Sequence, residues 1–277
     1  MKAPGRADRP RRGIPLRTIV PNAVTALALC SGLFGIRFGI GGEWDKAVAA
    51  VVIAAILDGL DGRIARLLNG QSRFGAELDS LSDVTAFGVA PAIILYLWVL
   101  QGVTELGPDF ERWTRYGWLF ALAYAVCAAL RLARFNANID SVEQPHKSAG
   151  FLTGVPAPAG AGLVLLPVYL WYWTGEPVFR ETWLAAPWAA AVGFLMISNL
   201  ATFSWGSLRL RSHVRLGALV VIALVFAALI SAPFPTLSVA ALLYAAMIPF
   251  SIVSYAKVKR QRASEPARPE PPLAPEA

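Results

Sequence analysis

Four aspartates lie in two pairs inside an otherwise apolar protein, Asp58-Gly-Leu-Asp61 and, farther on, Asp79-Ser-Leu-Ser-Asp83. At spacings of i,i+3 and i,i+4, each pair lies on one face of a helix. A single continuous helix would hold the pairs roughly 30 Å apart at about 1.5 Å per residue, too far for joint chemistry. Asn69-Gly70 between them is a strong turn signal, and a break there makes a helical hairpin that sets the pairs face to face. Four facing carboxylates repel one another. A hard divalent cation with oxygen ligands removes that conflict, and two cations remove it more fully. A competing reading has the acids capping helices or pairing with Arg63, Arg66 and Arg73. It accounts for one or two of them, but not for four at paired spacing with a glycine beside each pair. Gly59, Gly62 and Gly75 remove side chains next to the acids and leave room for a nucleotide-sized ligand.

The elements that must position these residues are membrane helices. Hydrophobic residues make up 56% and charged residues only 16% of the 277, too apolar for an ordinary soluble domain. Runs long enough to span a bilayer fall at residues 19–40, 47–68, 76–100, 116–135, 152–173, 183–203, 214–232 and 236–256. They predict an all-α, polytopic integral membrane bundle of eight helices, with Pro233 and Pro235 leaving a very short connection between the last two. With the N-terminus cytosolic, the tails and even-numbered connections hold 20 of the 25 Lys and Arg, which satisfies the positive-inside rule. Both termini and the aspartate hairpin are then expected on the cytoplasmic side of a plasma membrane, the inner membrane if the source is bacterial. Under that topology Asp61 and Asp79 lie about 7 Å inside the bilayer and Asp58 and Asp83 about 12 Å. An ionised Asp costs on the order of 3 kcal/mol at the helix centre, which metal coordination and a water-filled cavity would offset.

The basic segment 1–18, with Lys2, Arg6, Arg9, Arg11, Arg12 and Arg17, reads as an anionic-lipid contact and topology signal, and no nucleic acid is expected as a partner. Residues 257–277, rich in proline and charge, have a disordered composition. Cys30 and Cys127 fall inside predicted spans and imply no disulfide framework. His146 and His213 stand singly in loops and read as surface polar residues, while most tryptophans sit near span ends as an aromatic belt.

The stretch fits D-x-x-D-G-x-x-A-R-(x8)-G-x-x-x-D-x-x-x-D at every fixed position: Asp58, Asp61, Gly62, Ala65, Arg66, Gly75, Asp79 and Asp83. It resembles the signature of the CDP-alcohol phosphatidyltransferases, integral membrane enzymes that move a phosphatidyl group from a CDP-linked lipid to a small alcohol. The resemblance implies a six-helix catalytic core over 19–205, followed by two additional helices over 206–256. It also implies two Mg2+ or Mn2+ ions on Asp58, Asp61, Asp79 and Asp83, with Asp83 as the base for the acceptor hydroxyl. Gly62, Arg66, Ser72 and Gly75 match positions that contact the CDP group. Asn22 and Thr25, in Pro21-Asn-Ala-Val-Thr25, share a helix face near the cytosolic boundary. They either satisfy backbone groups at a helix start or, as the family pattern implies, approach the nucleotide. A homodimer in the lipid bilayer is the assembly the resemblance implies.

The fourth span ends in Arg131-Leu-Ala-Arg134-Phe-Asn136, and the fifth opens with Phe151-Leu-Thr-Gly-Val-Pro156-Ala-Pro158-Ala. Arg131 and Arg134 share a face. They are either snorkelled topology anchors or, with Asn136, an anion receptor beside the hairpin. The combination resembles the membrane-type phosphatidylserine synthase branch of the family, with Val155 and Ala157 where larger aliphatics are commoner. Serine as acceptor and CDP-diacylglycerol as donor follow from that likeness. Serine carries a carboxylate for a guanidinium to hold, whereas glycerol 3-phosphate, inositol phosphate or an ether-lipid donor would use the same chemistry. A divalent-metal transporter with buried acids is the opposing class. The glycines and arginine interleaved with the acids, and the lack of a second acidic hairpin, argue against it.

Overall fold

The computed structural model describes residues 16–102, 111, 116–137, 151–203 and 215–264. Most of the basic N-terminal segment, His146, Lys147, Arg209, Arg211, His213 and the proline-rich tail lie outside the described residues. The chain is a helical integral membrane protein. Its described elements run α1 (Leu16–Ile40), α2 (Trp44–Leu67), α3 (Arg73–Asp83), a π-helical turn (Val84–Val89), α4 (Ala90–Gly102), α5 (Trp118–Ala137), β1 (Phe151–Thr153), α6 (Ala157–Val164), α7 (Leu166–Thr174), a 3-10 turn (Pro177–Arg180), α8 (Thr182–Ile197), β2 (Ala201–Phe203), α9 (Arg215–Ser231) and α10 (Pro233–Ser264). Each of the eight apolar runs is helical over most of its length. Among the described residues four helical stretches are long and apolar enough to cross a membrane: Leu16–Ile40, Arg73–Gly102, Trp118–Ala137 and Pro233–Lys257. Helix α2 matches α1 in length but carries Asp58, Asp61, Arg63 and Arg66 in its second half.

Helices α1 and α2 pack along their lengths, and α5 packs on α8. The core is built from small residues of α2 such as Ala47, Val51 and Ala54, with Phe87, Ile94, Trp98, Tyr124, Leu163 and Tyr169 filling its centre. Helix α10 docks on α7, where Tyr172 and Phe234 stack with ring centroids 4.1 Å apart, and on β2. Helix α9 exposes Leu219, Ile222, Phe226 and Ile230, the surface expected of a helix facing lipid.

Prolines shape the bundle where the pattern of apolar residues is silent. A proline inside a helix has no N–H for the carbonyl four residues back and crowds it. Pro21 does not open the first helix, as expected from the sequence, but lies within α1. The freed Arg17 carbonyl lies against Gly70, where an added Cβ would collide with it. Pro167 breaks the fifth span into α6 and α7 at Leu165, and the Trp188 indole donates to the freed Leu163 carbonyl at 2.7 Å. The sixth span is also shorter than its apolar run. Helix α8 stops at Ile197, and Ala201–Phe203 instead pair antiparallel with Phe151–Thr153. This two-stranded ladder is a local departure from the all-α expectation. It forms because Gly154, in the left-handed region at φ 73°, turns the chain so that its N–H reaches the Leu200 carbonyl at 2.7 Å.

Candidate active site

The hairpin forms at the break the sequence marks. Helix α2 ends at Leu67, Asn69 takes a left-handed φ of 49°, and α3 begins at Arg73, a conformation that Asn tolerates better than most residues. Ser72 caps α3, its Oγ accepting the Gly75 N–H at 3.0 Å, which satisfies one of the helix's orphan donors. An added Cβ at Gly75 would fall 2.6 Å from Asn22 Oδ1, so the absence of a side chain is what lets α1 approach the capped turn.

With the hairpin closed, the carboxylates of Asp58, Asp61 and Asp79 each place an oxygen within 4.8 Å of the others. Asp61 is 5% exposed and accepts a hydrogen bond from Thr25 Oγ1 at 2.6 Å. The same hydroxyl lies 3.2 Å from the Pro21 carbonyl, but its single proton favours the stronger carboxylate acceptor. Asp83 is not one of the three clustered acids. Its carboxyl meets that of Asp58 within hydrogen-bonding reach, and its Oδ1 is buried with no partner. Lys46 pairs with Glu43, and among the described residues Arg63, Arg66 and Arg73 form no ion pair with the acids. Three carboxylates this close, partly buried and without a basic partner, fit an oxygen-ligand divalent cation site.

Two cavities meet at Asp79. The larger, about 310 Å³, lies between α1 and the hairpin and is lined by Asn22, Thr25, Asp61, Gly62, Arg66, Ser72 and Gly75. An added Cβ at Gly62 would meet nothing within 4 Å, so any side chain there would project into free space beside the acids. The second cavity, about 170 Å³, lies between α3 and α5 and is lined by Asp79, Ser80, Asp83, Arg131, Asn136 and Pro156, among others.

The two arginines of α5, one turn apart, have different surroundings. Arg131 lies at the second cavity with its Nε buried and unpartnered, and it forms no ion pair with Asp83. Arg134 donates to the Ile197 carbonyl at 2.9 Å, the Ser198 carbonyl at 3.1 Å and Asn199 Oδ1 at 2.9 Å, stapling α5 to the end of α8. Asn136 Nδ2 donates to Ser80 Oγ at 2.8 Å and ties α5 to α3 beside Asp79. Ser80 and Asn199 were not legible as site residues. Ser80's polarity between two acids is a faint signal, whereas Asn199 gives none.

A helical bundle in the membrane, with three clustered carboxylates that could hold a metal ion beside two cavities, defines a class suited to handling phosphates next to lipid. A family model for CDP-alcohol phosphatidyltransferase matches residues 18–205, and a second, described as CDP-alcohol phosphatidyltransferase 2, matches residues 213–249. The chain belongs to the CDP-alcohol phosphatidyltransferase family. It is similar to the CDP-diacylglycerol–serine O-phosphatidyltransferase of Mycobacterium bovis, at 38% identity over 89% of this chain and 82% of that protein. Proteins of the same name from Helicobacter pylori, at 38% identity over 66% of this chain and 70% of theirs, and from Bacillus subtilis, at 32% over 65% and 88%, are also similar.

Proposed function

We propose that the protein transfers the phosphatidyl group of CDP-diacylglycerol to the hydroxyl of L-serine, releasing CMP, as a step of phospholipid biosynthesis. The observation that carries this reading is Arg131, half-buried with its Nε sequestered and unpartnered, placed at a small cavity that it shares with Asp79 and Asp83. The cavity is the smaller of the two, suited to a small alcohol, and it offers one cation to a carboxylate. The serine-naming relatives, which span most of this chain, support the same acceptor.

In this reading the cytidine diphosphate occupies the larger cavity. Arg66 faces its phosphates, and the open space beside Gly62 lets the nucleotide approach the acids. Asn22 and Thr25 line the same wall, Thr25 also fixing the Asp61 carboxylate. Two Mg2+ or Mn2+ ions held by Asp58, Asp61, Asp79 and Asp83 would supply the positive charge that polarises the phosphorus and stabilises the departing CMP. Arg131 orients the serine carboxylate, and Asp83, which faces it, takes the hydroxyl proton as the oxygen attacks. Arg134 and Asn136 hold α5 in place around that acceptor, on α8 and α3 respectively.

The test is a purified preparation given CDP-diacylglycerol, Mg2+ or Mn2+, and a panel of labelled alcohols. Serine should become lipid-soluble, chelation should abolish transfer, and preferential labelling through glycerol 3-phosphate or inositol phosphate would overturn the acceptor. The charge bias of 20 basic residues against five supports a cytoplasmic active site and cytoplasmic termini in the plasma membrane. In a variant lacking Cys30 and Cys127, a cysteine replacing Ser72 should label from the cytoplasmic face and one replacing Glu176 from the other. Residues 19–205 form the catalytic core in this reading, followed by two additional transmembrane helices over 206–256. A homodimer, supported by the family likeness, should cross-link as a pair in native membranes.

A further inference from the structure

Directly after Asp83 the helix widens. Val84–Val89 form a π turn in which the Ala90 N–H bonds the Thr85 carbonyl, five residues back. The cause is Pro91, which offers no N–H to the Phe87 carbonyl four residues before it and crowds that carbonyl out of line. The phenol of Tyr124 on α5 takes the vacancy, donating to the Phe87 carbonyl at 2.8 Å, and Tyr124 is fully buried. The turn is gripped from both sides. An added Cβ at Gly32 of α1 would fall 2.7 Å from Ala86 Cα, and one at Gly88 would fall 3.1 Å from the Ala128 Cβ. One extra residue in the turn rotates everything before it by about 100° relative to everything after it. The face of Asp79 and Asp83 therefore points into the two cavities, while Ile94 and Trp98 on the same continuous stretch point into the core.

We infer that Tyr124 is a positioning residue for the reaction. Its hydroxyl satisfies the carbonyl that Pro91 frees, fixes the π turn in one geometry and thereby aims Asp83 at the acceptor cavity, from a helix that carries Arg131 two turns farther on the same face. Base and carboxylate receptor are thus referenced to the same helix, so that their separation is fixed across the cavity they line. This inference rests on Asp83 acting as the base.

The structure contains its own comparator. Trp188 makes the equivalent bond to a carbonyl freed by Pro167, but at the break between α6 and α7 and with no acid beside it. Tyr124→Phe, Trp188→Phe, the double variant Tyr124→Phe with Pro91→Ala, and Asp83→Asn should be compared for thermal stability in detergent and for separate serine and CDP-diacylglycerol kinetics. Tyr124→Phe should lower kcat by about a hundredfold, the scale of a 1 Å misplacement of a reacting group, with the CDP-diacylglycerol KM within about twofold. Trp188→Phe should lose stability with kcat nearly unchanged. The double variant supplies a new N–H for the Phe87 carbonyl. It should regain stability while kcat stays low, because the turn closes to ordinary α geometry and Asp83 swings away. Wild-type kcat in Tyr124→Phe, or recovery of kcat together with stability in the double variant, would reduce Tyr124 to a satisfied core phenol. Retained turnover in Asp83→Asn would instead remove the base assignment itself, and this inference with it.

Discussion

The two ends of the bundle treat charge in opposite ways. At the end where α2 begins, Arg180 lies over the rings of Trp98 and Trp171, 5.2 and 5.5 Å from their centroids. Its Nε donates to the Trp98 carbonyl at 2.8 Å, and its terminal nitrogen reaches Gln101, which also accepts the Trp44 indole N–H at 2.7 Å. That guanidinium is enclosed by partners, and Gly102 packs so closely that an added Cβ would collide with it. At the hairpin end, Arg131 and Asp83 are comparably sequestered, but each keeps a buried polar atom without a partner, with a cavity between them. Leaving a buried donor or acceptor unsatisfied costs about 1–3 kcal/mol. The Arg180 guanidinium is hydrogen-bonded where it fastens helices, although the Trp98 Nε1 beside it is also buried without a partner, whereas the open atoms of Arg131 and Asp83 line a cavity.

That contrast can be broken or sharpened by substitution. The largest effect is expected at the carboxylates. Asp83→Asn should lower turnover by about 10²–10⁴-fold, the range for losing a general base, read as phosphatidylserine formed per minute at saturating substrates. Arg66→Ala should come next, weakening use of CDP-diacylglycerol by roughly 10- to 150-fold for one lost charge-assisted bond of about 1.5–3 kcal/mol and leaving the serine KM unchanged. Arg180→Met should act on stability instead, costing about 1–2 kcal/mol through lost hydrogen bonds and ring contacts and lowering the unfolding temperature with near-normal kcat. If it weakens use of CDP-diacylglycerol as deeply as Arg66→Ala, the two ends are not functionally distinct. Smallest of all, Gly59→Ala should change little, because its Cβ would meet nothing within 4 Å and Gly59 does not line the nucleotide cavity, whereas Gly62→Ala should raise the CDP-diacylglycerol KM several-fold.

The hairpin was legible because its determinants are local. Paired acids at helical spacing, Asn69-Gly70 between them and Ser72 ahead of α3 act within a few residues of one another, and the apolar runs declare the spans. What escaped depends on partners distant in the chain. Arg131 and Arg134 share a face and a residue type, and only the carbonyls of Ile197 and Ser198, supplied by α8, make one a staple and leave the other at the cavity. Pro91 read simply as part of an apolar run. Its consequence, a π turn beside Asp83, is completed by Tyr124 on another helix, 37 residues away in sequence. The tail of the sixth span looked apolar enough to continue, yet Thr202 is drawn into a ladder by its bond to the Gly154 carbonyl at 2.8 Å.

The most direct test is the kinetics of Arg131→Ala, with serine and CDP-diacylglycerol varied separately. If Arg131 holds the acceptor carboxylate, kcat/KM for serine should fall roughly 10- to 150-fold, as for one charge-assisted hydrogen bond of about 1.5–3 kcal/mol, and the CDP-diacylglycerol KM should stay within about twofold. Unchanged serine kinetics, or a loss confined to CDP-diacylglycerol, would contradict the assignment of the open cavity to serine.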